Sequence, residues 1–160
     1  MSGLDLKSVK MKMESWCAYQ DRSIAEATQK LSGFGLSGSS VSKIISDLKK
    51  ERFLDDKRFT ESFVQGKFRI KGWGKNKIKS HLIQKHRISV DLISEAFAEL
   101  PNEEYEAEIK RLILKKFEEL KKDLPFPKKK EKVIRFLLSR GYAISQIFEQ
   151  LNKLNFNGDD

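Results

Sequence analysis

Apolar residues recur every three to four positions along almost the whole 160-residue chain, and this period constrains the fold more than any other feature. A period near 3.6 residues predicts amphipathic helices, and no segment shows the two-residue alternation of a half-buried strand. Glycine and proline are sparse, at nine and three residues, which also favours helices over turn-rich β structure. The sequence therefore predicts an all-α protein.

Nine helices are predicted, with boundaries set by capping residues, glycines and prolines. They cover about residues 6–19, 23–33, 40–51, 55–70, 75–85, 89–100, 102–122, 128–139 and 143–154. Ser23, followed three residues later by Glu26, predicts a capping box at the start of the second helix. The first helix is expected to face inward with Val9, Met13 and Trp16.

A weak pattern recurs three times: a leucine, an apolar residue ten positions later, and another four positions after that. The three sets are Leu31–Val41–Ile45, Leu82–Leu92–Ala96 and Leu137–Ile147–Leu151. The leucines are 51 and 55 residues apart, a period typical of stacked helical units that are each too small to bury their own apolar face. We therefore predict three three-helix units, at residues 5–52, 53–100 and 101–155.

The excess of positive charge lies mainly in one stretch of 29 positions, from Ser62 to Val90, that contains no acidic residue. Its eight cations are Lys67, Arg69, Lys71, Lys75, Lys77, Lys79, Lys85 and Arg87, and both histidines lie there too. They account for nearly all of the net charge of +9. Apolar residues run through the stretch and beside it at helical spacing: Phe59, Phe63, Ile70, Trp73, Ile78, Leu82 and Ile83. Lysine-rich helices are often only solvated faces, but a folded surface of one sign favours an anionic partner, a nucleic acid or a nucleoprotein assembly.

Two further features belong to this candidate binding surface. Trp73 lies among the cations, where it can stack on a base or anchor its loop. Lys128, Lys129 and Lys130 open the eighth predicted helix. Cations at a helix N-terminus oppose the helix dipole, so stability alone would not select them there. We interpret this second cluster as supporting the first in partner binding.

The adjacent carboxylates Asp55 and Asp56 raise the question of metal binding or acid–base catalysis. No third carboxylate, histidine or Gly-rich loop lies nearby in sequence to complete such a site, so we expect an aspartate to cap the fourth helix. His81 and His86 are five positions apart rather than four, and Cys17 is the sole thiol. We therefore expect no catalytic residues, no metal and no cofactor.

The remaining features bear on localisation. A single cysteine excludes an intramolecular disulfide and is typical of a reducing cytoplasm. No apolar run approaches the roughly 18 residues that span a bilayer, and residues 1–12 lack the apolar core of a signal peptide. The expectation is a soluble, cytoplasmic protein that does not enter a membrane.

Four ordered segments carry a family resemblance. They are Arg22-Ser23 with Leu31; Phe53-Leu54-Asp55-Asp56-Lys57-Arg58-Phe59; Lys71-Gly72-Trp73-Gly74 with Ile78 and Leu82; and Leu137-Leu138-Ser139-Arg140-Gly141-Tyr142 with Ile147. Together, over about residues 12–151, they resemble the RecX family of recombinase regulators. The resemblance implies that Leu54, Asp55, Asp56, Arg58, Phe59, Gly72, Gly74, Arg140 and Gly141 form a structural motif.

The chain departs from the family pattern in three places. Phe53 stands where tyrosine is common, and Lys75 and Asn76 follow the second glycine where proline is common. His86 stands where a glycine is usual, with Arg87 inserted after it. These departures concern the end of the fifth helix rather than the family.

The resemblance implies an elongated, curved all-α protein of three tandem three-helix repeats. It also implies a negative regulator, acting in DNA repair and the SOS response, that lies in the groove of the RecA–single-stranded DNA filament. There it would oppose filament growth, strand exchange, ATP hydrolysis and co-protease activity, as a monomer and without catalytic residues. We expect Lys71, Lys75 and Lys79 to make the main contacts, with DNA itself, single- or double-stranded, as a further partner.

Two other functions remain open at this point. The first is a DNA-binding protein built from tandem helix-turn-helix-like units. A recognition helix should offer Arg, Asn or Gln to base edges, whereas the fifth helix offers mostly Lys, which suits phosphate. The second is an enzyme of nucleic-acid metabolism, against which the lack of a carboxylate or metal-ligand cluster argues.

Overall fold

Within residues 5–154, which this computed structural model describes, there are nine α-helices and no strand. The helices are α1 (Leu6–Tyr19), α2 (Ile24–Ser32), α3 (Gly38–Lys50), α4 (Asp56–Arg69), α5 (Lys75–His86), α6 (Val90–Ala98), α7 (Asn102–Glu119), α8 (Phe126–Ser139) and α9 (Ile144–Lys153). The all-α prediction is confirmed. None of the described helices is both long enough and apolar enough to cross a membrane.

The described chain divides into two compact units. Unit 1 contains residues 5–63 and 81–93, and unit 2 contains residues 64–80 and 94–154. Helices α4, α5 and α6 each contribute one segment to each unit. The boundaries predicted from the repeat, 5–52, 53–100 and 101–155, are a different division of the chain and stay a prediction.

Unit 1 is built around α3, which packs against α1 and α2. Its buried cluster is Val9, Met13, Cys17, Ala27, Leu31, Val41, Ile44, Leu48 and Leu54. Burying a large apolar side chain contributes about 1.5–3 kcal/mol, so the cluster is the main source of the unit's stability. Ser23 and Glu26 form the predicted capping box at the start of α2.

The inner face of α1 differs from the prediction at one position. Val9, Met13 and Cys17 form the buried row because they are four residues apart and lie on one side of the helix. Trp16 is only half-buried and lies beside that row. The Arg22 guanidinium lies 4.3 Å and the Lys30 ammonium 5.0 Å from the centroid of its ring.

Unit 2 is built around α7, α8 and α9, which pack against one another. Its buried residues include Tyr105, Ile109, Leu112 and Ile113 of α7, Val133 and Leu137 of α8, and Ile147 and Leu151 of α9. Helix α8 begins at Phe126, two residues before the predicted start. Pro127 lies in its first turn, where a missing N–H breaks no hydrogen bond. The proline is therefore compatible with the start of the helix.

The buried row of α4 does not follow the apolar run Phe59, Phe63 and Ile70 noted in the sequence. Thr60, Val64 and Phe68 are four residues apart and are buried, whereas Phe63 is half-buried. Ile70 follows the last residue of the helix and is 80% exposed. Ile70 is therefore not part of the buried row, because the chain leaves the helix before the next turn.

The same kind of shift occurs in α5 and α6. Ile93 is buried while Leu92, a member of the recurring pattern, is half-buried. Ile83 is 39% exposed beside the buried Leu82. The spacing is correct in each case, but packing chooses which of two neighbouring apolar residues faces inward.

Candidate partner-binding surface

In unit 2, the loop between α4 and α5 is held to the end of α8 by backbone hydrogen bonds. The Gly74 amide donates to the Arg140 carbonyl at 2.7 Å, and the Asn76 amide donates to the Gly141 carbonyl at 3.0 Å. The first amides of a helix and the last carbonyls of another have no partner within their own helix, so each end satisfies the other. We call this contact the α5–α8 joint.

Glycines make the joint possible. A Cβ on Gly74 would lie 2.5 Å from the backbone C and O of Gly141, so no larger residue fits there. Gly141 has φ +99°, a left-handed conformation that favours glycine, and its added Cβ would meet Lys77 at 2.4 Å. Gly72, at φ +70°, ends the turn after α4. The predicted structural role of these three glycines has this physical basis.

Two buried tyrosines complete the joint. The Tyr142 hydroxyl donates to the Gly72 carbonyl at 3.0 Å, and the Tyr105 hydroxyl accepts from the Lys75 amide at 2.9 Å. The two rings pack against each other with centroids 5.4 Å apart. Burial raises the pKa of Tyr105 to about 12, against a smaller opposite effect of the hydrogen bond from Lys75, and burial also raises the pKa of Tyr142.

In unit 1, the two aspartates cap different helices. The Asp55 carboxylate accepts from the amides of Lys57 and Arg58, at 2.9 and 3.1 Å, and so caps α4 as predicted. The Asp56 carboxylate accepts from the amide of Ile24 at 2.9 Å and so caps α2. Burial raises the pKa of Asp56, partly offset by that hydrogen bond. Both carboxylates therefore accept hydrogen bonds from backbone amides.

The rest of this segment is also packed. Leu54 and Phe59 are 2% and 6% exposed. The Arg58 guanidinium binds the Asp21 carboxylate at 2.9 Å and donates to the carbonyls of Arg52 and Phe53. Among the described residues, no group of three or more His, Cys, Asp and Glu side chains is arranged to hold a metal ion.

His86 ends α5 within unit 1 and has polar and aromatic partners. Its Nδ1 lies 2.9 Å from the Ser23 hydroxyl, and its ring centroid lies 4.6 Å from that of Phe59. The His86 ring thus has both a hydrogen-bonding partner and an aromatic partner. The next residue, Arg87, has φ 53°, so the left-handed position of the turn falls on Arg87 rather than on His86.

The first group of cations lies around Trp73 in unit 2. The Nζ atoms of Lys67 and Lys77 lie 4.8 and 4.5 Å from the Trp73 ring centroid. The ring is half-buried, and the amide of the residue donates to the Lys67 carbonyl at 3.0 Å. This geometry favours the anchoring interpretation of Trp73 over stacking on a base.

Two other predicted cations are already engaged. Arg69 donates twice to the Glu104 carboxylate, at 2.8 and 2.9 Å, and this bond lowers the pKa of Glu104. The stretch that lacks acids in the sequence therefore has an acid beside it in space. The Nζ of Lys75 lies 4.6 Å from the Tyr105 ring centroid, and its side chain is half-buried, so Lys75 belongs to the joint.

The remaining cations of the stretch are exposed. Lys71 and Lys79 lie in unit 2, and Lys85 and Arg87 lie in unit 1. None of the four forms an ion pair with a residue in the described part of the chain. They are the members of the predicted set that are free to meet an anionic partner.

The second cluster, at the start of α8, is partly engaged. Lys128 lies 3.9 Å from the Glu131 carboxylate. The Lys129 ammonium donates to the Lys122 carbonyl at 3.3 Å, and Lys130 lies 5.9 Å from the Phe148 ring centroid. Lys128 is exposed, and the other two are half-buried.

Three cations of α7 escape a search based on runs of charge. Arg111, Lys115 and Lys116 line a cleft in unit 2 together with Lys71 and Arg140. The spacing of four residues places Arg111 and Lys115 on one side of the helix. Because the same helix also contains many glutamates, these cations do not form a run of positive charge in the linear sequence.

Comparison with known proteins identifies the family. Residues 55–96 match the family model for the second three-helix domain of RecX, and residues 103–151 match the model for its third three-helix domain. The chain belongs to the RecX family. The regulatory protein RecX of Clostridium botulinum (strain Eklund 17B) is 35% identical over 133 residues, which are 82% of this chain and 61% of that protein. RecX of Clostridium acetobutylicum is 36% identical over 117 residues, which are 71% of this chain and 53% of that protein. The chain thus spans less than two thirds of the length of either relative.

Solved RecX structures share the fold. The crystal structure of RecX from Lactobacillus salivarius superposes with a TM-score of 0.83 at 21% identity, and covers 94% of this chain and 96% of that one. A second crystal structure of a regulatory protein RecX gives a TM-score of 0.81 at 24% identity, over 92% of this chain and 71% of that one. The tandem three-helix architecture therefore belongs to the RecX fold.

Proposed function

We propose that this chain is a negative regulator of the RecA recombinase that binds the RecA–single-stranded DNA filament. In this role it restrains recombinase, ATPase and co-protease activity in DNA repair and the SOS response. It acts as a cytoplasmic monomer without catalytic residues, cofactor or metal. One observation carries the proposal: in a chain of the RecX family, Lys71 and Lys79 are exposed and have no acidic partner among the described residues.

The physical basis is electrostatic. Exposed lysines that approach DNA phosphates release condensed counterions, which strengthens binding at low salt. Lysines that approach acidic protein surface speed association and orient the two molecules. The α5–α8 joint holds the loop that carries Lys71 in one conformation, so less conformational entropy is lost when the partner binds.

The test removes the two exposed lysines and leaves Lys75 in place, because Lys75 packs on Tyr105. The variant with Lys71→Ala and Lys79→Ala should inhibit the RecA ATPase several-fold less well than the wild type. Its salt dependence should also be weaker, by a slope of about 0.7 for each single-strand phosphate that the variant no longer neutralises. The measurement is ATPase rate against protein concentration at two salt levels.

The matched control is Lys7→Ala with Lys12→Ala, which removes the same charge from exposed positions on α1. The control should inhibit as the wild type does, and circular dichroism should show the same helix content for all three proteins. Equal inhibition by both double variants would mean that Lys71 and Lys79 are only solvated surface. Tight binding to one duplex sequence without RecA would support the helix-turn-helix-like alternative instead.

A further inference from the structure

A cleft in unit 2 shares only Lys71 with the residues to which the proposed function assigns binding. Its volume is about 230 Å³. It is lined by Arg69, Ile70, Lys71 and Gly72 from α4 and the following loop, by Glu108, Arg111, Leu112, Lys115, Lys116 and Glu119 from α7, and by Phe136 and Arg140 from α8 and its end. We call it the α7 cleft.

One face of α7 forms its longest wall. Glu108, Arg111, Lys115 and Glu119 are separated by three or four residues and therefore lie above one another on the helix. The adjacent side of α7 carries the buried core residues of the unit, and one of them, Leu112, also lines the cleft. The packing of α7 thus presents this row to the cleft.

The cleft has a positive charge that is not compensated. Six cationic side chains and two carboxylates, those of Glu108 and Glu119, line it, and two of the six cations are paired with a carboxylate. Arg111 is paired with Glu108 by two bonds of 2.7 and 2.8 Å, and Arg69 is paired with Glu104. The four that form no ion pair with any described residue are Lys71, Lys115, Lys116 and Arg140.

Two of the unpaired cations are held in place. The Arg140 guanidinium donates to the Lys71 carbonyl at 3.2 Å and lies 5.0 Å from the Phe136 ring centroid. The Lys116 ammonium lies 4.9 Å from the same centroid. A guanidinium has five N–H donors, and this single bond leaves others available to a ligand. The preorganised Arg140 therefore suits an oxyanion that accepts several bonds.

The backbone keeps the cleft open at Gly72. A Cβ added there would lie 3.4 Å from the Glu108 carboxylate oxygen, in contact with the α7 wall. The φ of +70° already favours glycine at this position. The residue thus turns the chain and leaves the space beside Lys71 unoccupied by a side chain.

Four unpaired cations around a concavity repel one another, so folding alone does not account for them. A concave surface of one sign focuses the electric field and concentrates counterions. Phosphate fits better than carboxylate, because adjacent phosphates bring more negative charge into a small volume and accept forked bonds from arginine. We propose that the α7 cleft binds adjacent phosphate groups, from the pyrophosphate of a nucleotide or from a single nucleic-acid strand.

The experiment uses the full chain without RecA, so that its outcome is separate from that of the proposed function. The variant is Lys115→Gln with Lys116→Gln, which keeps the side-chain stems and removes two cleft charges. Its matched control is Lys121→Gln with Lys122→Gln, an exposed pair just beyond α7 that does not line the cleft. Inorganic pyrophosphate is titrated by calorimetry, and a fluorescent oligo-dT strand by anisotropy, both at fixed salt.

The cleft variant should bind roughly tenfold more weakly than the control, since it lacks two charged donors that strengthen hydrogen bonds to phosphate. If the cleft variant binds pyrophosphate more weakly but the oligonucleotide normally, the ligand is a free nucleotide. If it binds the oligonucleotide more weakly but pyrophosphate normally, the ligand is a nucleic-acid strand. Equal binding by the two double variants would overturn the proposal. It would also be overturned if poly-glutamate displaced the bound probe as readily as polyphosphate does, since the cleft would then prefer an acidic peptide.

Discussion

At the scale of single residues, two arginines have a backbone conformation that usually belongs to glycine. Arg52, after α3, has φ 65°, and Arg87, after α5, has φ 53°. In each case the next amide bonds back into the helix: Phe53 to the Leu48 carbonyl at 2.9 Å and Ile88 to the Leu82 carbonyl at 3.0 Å. A left-handed residue followed by such a bond is a common helix C-terminus, in which glycine avoids the strain of a Cβ.

Replacing Arg87 with glycine should therefore stabilise the protein. We expect a gain of about 0.5–1 kcal/mol, because relief of the left-handed strain exceeds the extra chain entropy of glycine. Urea unfolding followed by circular dichroism measures the difference. Lys85→Gly, two residues earlier inside α5, is the control and should lower stability by about 1 kcal/mol. Destabilisation by both variants would contradict the left-handed assignment.

At the scale of elements, the α5–α8 joint explains why two segments far apart in the chain both depend on glycine. The start of α5 and the end of α8 share hydrogen bonds through Gly74 and Gly141, and the helices meet with opposite ends of their dipoles together. The hydroxyls of Tyr105 and Tyr142 form hydrogen bonds with the nearby backbone amide of Lys75 and carbonyl of Gly72. The joint therefore depends on close backbone approach more than on any single side chain.

Gly74→Ala should open this joint. The added Cβ would meet the backbone of Gly141 and Tyr142, which cannot rotate away, so we expect a loss of about 2 kcal/mol in the free energy of unfolding. Gly66→Ala is the matched control: Gly66 lies within α4, its added Cβ meets nothing within 4 Å, and alanine should gain about 0.5–1 kcal/mol. Urea unfolding again provides the measurement. Similar effects of the two substitutions would show that the close approach is absent in solution.

At the scale of the whole molecule, the two buried tyrosines link stability to alkaline pH. The pKa of Tyr105 is raised to about 12, mainly because its ring is buried, and the pKa of Tyr142 is raised for the same reason. The neutral hydroxyl is thus favoured in the folded state. Its stabilisation is fully present below the usual tyrosine pKa of about 10 and is lost as pH rises toward 12.

The free energy of unfolding should consequently fall between about pH 10 and pH 12. One such tyrosine contributes a slope of up to about 1.4 kcal/mol per pH unit. Tyr105→Phe should make the fall less steep, whereas Tyr19→Phe, at a residue 83% exposed, should leave it as in the wild type. Urea unfolding at closely spaced pH values measures both. Identical slopes for the two variants would be incompatible with a buried, neutral Tyr105.

Local chemistry explains how much of the fold the sequence could predict. The capping box at Ser23, the Asp55 cap of α4 and the glycine turns each involve residues a few positions apart, so they can be found from spacing. The same spacing predicts where helices lie, but it leaves open which of two adjacent apolar residues is buried. Trp16 beside Cys17 and Leu92 beside Ile93 are such cases, because that choice depends on the neighbouring helix.

The sequence by itself thus determined the helices, their caps and the excess of positive charge. Only the tertiary structure decided which cations remain uncompensated, because a charge is neutralised by whatever lies near it in space. Glu104 is 35 positions from Arg69 yet binds it, and Arg140 is 69 positions from the Lys71 carbonyl that fixes it. The α7 cleft likewise combines three segments whose charges form no single run along the chain. Packing brings such distant residues together, and these contacts cannot be predicted from the spacing of residues along the chain.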